Sequence, residues 1–106
     1  MFLCNGQVYL ILDYEDGGNL LDKINQKDFL TMKEKIKFLM DMLNAFEFLR
    51  IKGIIHRDLK PENILYSKKE NCYKIADFSL AITENEPTTK IVGTPGYLAP
   101  ESFDSD

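Results

Sequence analysis

Hydrophobic and polar positions alternate in patterns that change several times along the chain. Gln7 to Asp13, QVYLILD, is a nearly continuous run of β-branched, aromatic and aliphatic residues. Such a run predicts a strand covered on both faces. Glu15 to Gly18, EDGG, breaks it. Asn19 followed by Leu20, Leu21 and Asp22 then predicts a helix N-cap with an acidic first turn, opening a short helix to about Lys27. A longer helix is predicted from Met32 to about Lys52. Thr31 and Glu34 have the spacing of a capping box, and Gly53 suits the residue just past the helix end. Ile36, Leu39, Met40, Leu43 and Phe46 fall on one face at 3.6-residue spacing. Phe38, Met42, Ala45 and Leu49 widen that face, so burial is expected around much of the helix. Packing, rather than a cofactor role, accounts for its Met and Phe content.

After Gly53 comes the apolar pair Ile54-Ile55, then a polar stretch from His56 to Asn63. Ile64 to Tyr66 and Tyr73 to Ala76 predict two short strands, with the intervening SKKEN as a hairpin loop. Beyond Ser79 the periodicity fades. Thr83 to Thr89 is polar and contains Pro87, which predicts a loop, and Pro95, Gly96 and Pro100 keep Gly93 to Glu101 from forming a regular element.

The chain has 106 residues, enough for one domain or a piece of one. An apolar share of 44% argues against wholesale disorder. Thirteen Lys and Arg against 17 Asp and Glu leave a net charge of -4 with no dominant basic stripe, so no nucleic-acid partner is expected. The first residues lack a basic n-region and a small-residue cleavage site, so no secretory signal is expected there. No apolar run approaches the ~20 residues that span a bilayer, so no membrane partner is expected. Cys4 and Cys72 form no CxxC pair and have no His cluster nearby, which argues against zinc. They fit an intracellular, cytoplasmic setting.

Three polar stretches carry the chemistry: His56-Arg57-Asp58-Leu59-Lys60-Pro61-Glu62-Asn63, Asp77-Phe78-Ser79, and Gly93-Thr94-Pro95-Gly96-Tyr97-Leu98-Ala99-Pro100-Glu101. Phosphoryl transfer from ATP needs a carboxylate to accept the proton of the attacking hydroxyl. It also needs oxygen ligands for Mg²⁺ and a cation to offset charge on the moving phosphoryl group. Asp58 can supply the carboxylate and Lys60 the cation. Asn63 and Asp77 offer oxygens suited to a hard cation, and the hairpin between them can bring both to one edge.

These stretches, in this order, resemble the catalytic loop, metal-binding triplet and activation-segment end of eukaryotic protein kinases. The upstream YLILDYEDGGNLLDKI resembles that family's fifth strand, hinge and following helix. The resemblance runs from about Phe2 to Glu101 and implies an α+β, protein-kinase-like fold, of which this chain covers the end of the small lobe, the hinge and the catalytic core of the large lobe. Residues 1–13 would be the last strands of the small lobe, 14–18 the hinge, and 19–106 an incomplete large lobe. By the same resemblance Asp58 is the catalytic base and Lys60 contacts the transferred phosphate. Asn63 and Asp77 are the two Mg²⁺ ligands. Leu12 matches the gatekeeper, Asp13 and Glu15 match hinge positions that hold adenine, Asn19 matches a further nucleotide-binding position, and Leu65 matches the apolar floor under the base. Arg57 resembles the arginine that pairs with a phosphorylated activation loop. Thr88 and Thr89, with Thr83, are candidate phosphosites for an upstream activating kinase. His56 and Phe78 read as packing residues and Glu101 as a structural one. The Lys60-Pro61-Glu62 run and Gly93-Thr94-Pro95 resemble serine/threonine specificity, and GTPGYLAPE with EDGGNLLDKI resembles the calcium/calmodulin-dependent kinase group. The implied cofactors are ATP and Mg²⁺, and the implied partner is a protein substrate presenting Ser or Thr.

The sequence also departs from the family pattern. It contains no G-x-G-x-x-G loop and no V-A-I-K lysine, and it ends five residues after Glu101. It therefore matches the middle of a kinase domain, and an isolated chain is expected to be marginally stable. Ser79 stands where the family usually has glycine. The competing reading is a truncated pseudokinase or docking module without catalytic activity. A small-molecule phosphotransferase of similar fold is disfavoured by the Lys60-Pro61-Glu62 and Ala99-Pro100-Glu101 stretches.

Overall fold

In a computed structural model, residues 2–26, 30–86 and 91–103 are described. Strand β1 (Phe2–Cys4) pairs antiparallel with β2 (Gln7–Tyr9), with Phe2 opposite Tyr9. Asn5 and Gly6 make the turn between them, with φ of 49° and 75°. An Asn-Gly turn between short apolar runs is a hairpin signal that the sequence reading passed over. The strand expected over Gln7–Asp13 is correspondingly shorter. Beyond Tyr9 the segment 10–13 pairs with no strand among the described residues, and Leu10, Ile11 and Leu12 are exposed.

Helix α1 (Leu20–Asn25) starts where the Asn19 cap predicts. Asn19 Oδ1 accepts the Asp22 N–H at 2.9 Å, and the Asp22 carboxylate accepts the Asn19 N–H at 3.4 Å. The Lys27 end expected for this helix lies outside the described residues. Helix α2 (Met32–Lys52) has the predicted bounds. Thr31 Oγ1 accepts the Glu34 N–H at 3.2 Å, Glu34 returns a carboxylate to the Thr31 N–H at 2.8 Å, and Gly53 closes the helix in the left-handed conformation.

The packed face of α2 is not the one the periodicity ranked first. Met42 and Leu49 are buried and Phe38 is partly so, whereas Ile36, Leu39, Met40, Leu43 and Phe46 are exposed. The helix carries two apolar stripes. The stripe that meets other elements is the one that reaches β5 (Cys72–Ile75). The Phe38 ring stands edge-on to Tyr73 at 5.1 Å, and Asp41 accepts the Tyr73 N–H at 3.0 Å. Leu20, Met42, Ile64 and Tyr73 form the buried core between the two helices and the hairpin.

That hairpin joins β4 (Ile64–Ser67) antiparallel to β5, with Ile64 opposite Ile75, as the sequence predicts to within a residue or two. Two further strands were not foreseen: β3 (Ile54–Ile55) pairs antiparallel with β6 (Ile82–Thr83). The loop expected from Thr83 therefore begins inside a strand. The Glu84 N–H also bonds the Gly53 carbonyl at 2.8 Å. Short 3-10 turns occupy Pro61–Asn63 and Pro100–Phe103, the second starting inside the Gly93–Glu101 stretch expected to be irregular and running past its end. The result is a mixed α+β fold of helices and two-stranded antiparallel sheets. Among the described residues no helix is long and apolar enough to cross a membrane.

Candidate active site

Three connections gather the polar stretches onto one side of the β4–β5 hairpin. The Ile64–Ile75 pairing places Asn63 beside Ala76, and the Ala76 N–H bonds the Asn63 carbonyl at 2.7 Å. Asp77 follows directly. His56 is 7% exposed and bonds in both directions. Its Nδ1 accepts the Asp58 N–H at 3.1 Å, which leaves the proton on Nε2, and Nε2 donates to the Ala76 carbonyl at 2.8 Å. The Phe78 ring stands edge-on to the imidazole at 4.8 Å. His56 is thus the packing residue the sequence reading took it for, and it ties the loop before Asp58 to the loop before Asp77.

The third connection runs through Thr94. Its hydroxyl donates to Asp58 Oδ1 at 2.7 Å and accepts from Lys60 Nζ at 2.6 Å. Lys60 Nζ also lies 3.8 Å from Asp58 Oδ2, an ion pair lengthened by the intervening hydroxyl. Gly93 permits this approach. Its φ is 122°, and a Cβ there would stand 2.5 Å from Leu98 Cδ2 and 2.9 Å from the Arg57 carbonyl oxygen. Sequence reading gave Thr94 no role; its available signal was the Gly93-Thr94-Pro95 stretch itself.

Asn63 is 7% exposed and spends its amide nitrogen on Asp58, donating to the carbonyl at 2.8 Å and more distantly to Oδ2 at 3.4 Å. Among the described residues its Oδ1 accepts no hydrogen bond, and it is not sealed from solvent. Asp77 is exposed. The Ser79 hydroxyl donates to Asp77 Oδ1 at 2.6 Å and the Ser79 N–H reaches the same oxygen at 3.3 Å. These two bonds, hydroxyl first, hold the Asp77 carboxyl below the ordinary carboxylate range, with a smaller contribution from the Lys60 ammonium. The free oxygens of Asn63 and Asp77 are hard donors of the kind Mg²⁺ takes, so the residues fit such an ion.

Arg57 and Asp77 both adopt left-handed backbone, with φ of 69° and 58°. Non-glycine residues in this region carry strain and cluster at functional sites. Arg57 Nε donates to the Leu80 carbonyl at 2.6 Å, which joins the His56–Asn63 stretch to the segment beyond Ser79. Thr88 and Thr89 lie outside the described residues.

The other candidates form a second group. Asn19 and Leu65 face each other across an isolated antiparallel bridge. Gly17 and Gly18 bond the Tyr66 backbone in both directions at 2.9 Å. Gly17 is required there, because a Cβ would come within 2.3 Å of the Tyr66 carbonyl oxygen. The Glu15 carboxylate is held at 2.9 Å by Lys74 on β5. Leu12 and Asp13 stand apart on the exposed segment before it, Leu12 being 73% exposed.

The sequence family described as the protein kinase domain matches residues 1–106, the whole chain. The chain belongs to the protein kinase family. It is 40% identical over 97 residues to calcium/calmodulin-dependent protein kinase type 1 of Caenorhabditis briggsae, across 89% of this chain and 27% of that protein. It is also 40% identical over 100 residues to CBL-interacting protein kinase 21 of Oryza sativa subsp. japonica, across 90% of this chain and 19% of that one. Human serine/threonine-protein kinase DCLK3 is 40% identical over 98 residues, across 90% of this chain and 15% of its own length. The chain thus spans less than a third of these relatives. Their names agree with the serine/threonine type and the calcium/calmodulin-dependent group that the motifs resemble.

Proposed function

We propose that this chain is the catalytic core of a serine/threonine protein kinase that moves the γ-phosphoryl group of ATP to a protein hydroxyl. The observation that carries the reading is the hydrogen-bonded chain Lys60–Thr94–Asp58, with the Asn63 amide also on Asp58. It unites a carboxylate, a cation and a free amide oxygen at one place. Residues 1–13 would then be the last strands of the small lobe, 14–18 the hinge and 19–106 part of the large lobe.

In the transfer step Asp58 orients the substrate hydroxyl and accepts its proton as the oxygen attacks. Asp58 Oδ1 is occupied by Thr94, so Oδ2 is the oxygen that meets the hydroxyl. Lys60 offsets negative charge on the phosphoryl group in transit. Asn63 Oδ1 and Asp77 Oδ2 would hold Mg²⁺, which when bound neutralises phosphate charge. Adenine would lie against Leu12, Leu65 and the backbone of Asp13 and Glu15, with Asn19 beside the sugar. Lys74 draws the Glu15 side chain toward β5 and leaves its backbone groups without protein partners among the described residues. Arg57 would pair with a phosphate placed on Thr88 or Thr89 by an upstream kinase, and the setting would be the cytoplasm.

The test uses the protein at its native length, γ-labelled ATP, Mg²⁺ and a mixed protein substrate. Label recovered on phosphoserine and phosphothreonine supports the proposal. Label confined to phosphotyrosine or to small molecules overturns it, and absence of transfer favours the docking-module alternative.

A further inference from the structure

Ser79 does more in this fold than tolerate a glycine's place. A carboxylate offers about four lone-pair sites, two on each oxygen. Both sites on Asp77 Oδ1 are taken, one by the Ser79 hydroxyl at 2.6 Å and one by the Ser79 N–H at 3.3 Å. The Phe78–Ala81 turn, closed by the Ala81 N–H on the Phe78 carbonyl at 3.1 Å, fixes Ser79 over the carboxylate. Arg57 pins the same turn from the other side through the Leu80 carbonyl at 2.6 Å. One oxygen, Oδ2, is left for a cation.

That count discriminates between cations. Mg²⁺ is octahedral, keeps several waters and is satisfied by single oxygens from one or two carboxylates. Ca²⁺ takes six to eight oxygens and gains from carboxylates that bind through both. Resting on the reading of Asp77 as a metal ligand, we infer that Ser79 is a positioning and selectivity residue: by capping Asp77 Oδ1 it restricts the carboxylate to one-oxygen binding and favours Mg²⁺ over Ca²⁺. A glycine at this position could supply the N–H but not the hydroxyl.

The test reads metal binding rather than activity. Mn²⁺ is titrated into the native-length protein and free Mn²⁺ is followed by its six-line electron paramagnetic resonance signal, with Mg²⁺ or Ca²⁺ as competitor. In Ser79→Ala the ratio of Ca²⁺ to Mg²⁺ affinity should rise about tenfold, the usual scale for losing a group that orients a metal ligand. Ser79→Thr keeps the hydroxyl and should restore the original ratio, which loss of structure would not do. A ratio within about twofold of the parent in Ser79→Ala, with Mn²⁺ binding abolished by Asp77→Asn, overturns the inference and leaves Asp77 a ligand. Mn²⁺ binding that survives Asp77→Asn, or is absent from the parent, overturns the ligand assignment and the inference with it.

Discussion

The Thr94 hydroxyl takes one hydrogen bond from Lys60 and gives one to Asp58. It holds apart two charges that would otherwise collapse onto each other, and it fixes which Asp58 oxygen faces a substrate. Thr94→Val keeps the shape and removes both bonds. In the native-length protein it should lower kcat about 10- to 100-fold, the cost of a misplaced catalytic group. KM for ATP should change little, and Thr94→Ser should recover most of the rate. Steady-state kinetics check this; a Val variant with unchanged kcat would remove Thr94 from the site. At this scale the sequence was legible where chemistry sits in a short run: Asp58, Lys60 and Asn63 lie within six residues. Thr94 was not legible, because its partners lie 34 and 36 positions away and no local pattern announces them. Nor was the left-handed backbone at Arg57 and Asp77, since residue type does not disclose φ.

Between elements, the segment carrying Glu15 to Asn19 is laid onto the β4–β5 hairpin by backbone bonds and by Lys74. Lys74 reaches Glu15 at 2.9 Å and Glu70 at 2.8 Å, and its ammonium is held charged above the usual lysine range, chiefly by the bond to Glu70 and then by Glu15. Reciprocally, Lys74 holds the Glu70 carboxyl below its ordinary value. A carboxyl so lowered contributes fully above its unfolded value of about 4.3 and loses that contribution as pH falls through the lower folded value. The Glu70–Lys74 pair, which holds the Lys74 ammonium in place, should therefore persist at neutral pH and weaken in acid. Lys74→Met should speed hydrogen exchange at the Gly17 and Tyr66 amides up to about fivefold at pH 7, the scale of a partly exposed ion pair. The Met variant should equal the parent well below pH 4. A difference that survives in acid would contradict this account. The helix ends were readable because caps are local: Thr31 with Glu34, Asn19 with Asp22, and Gly53. The packed face of α2 was not. Apolar residues line two sides of that helix, and only the position of β5 decides which side is covered.

Taken whole, the chain gathers the proposed catalytic residues on a small core. Leu43 is 67% exposed, and Ile36, Leu39 and Met40 are exposed beside it on α2. A stripe of this kind on an isolated chain promotes self-association. Leu43→Glu should raise solubility and lower binding of a hydrophobic dye while leaving helix content by circular dichroism unchanged; a fall in helix content would mean Leu43 carries packing the structure does not give it. The central claim is that Asp58 is the base at the meeting point of Lys60, Thr94 and Asn63. It is tested most directly by the rate of γ-phosphoryl transfer in the native-length protein and in Asp58→Asn, which keeps the shape and loses the basic oxygen. The account predicts a fall of about 10²- to 10⁴-fold, the range for a positioned general base. An Asp58→Asn protein that transfers phosphate at the parent rate would contradict it.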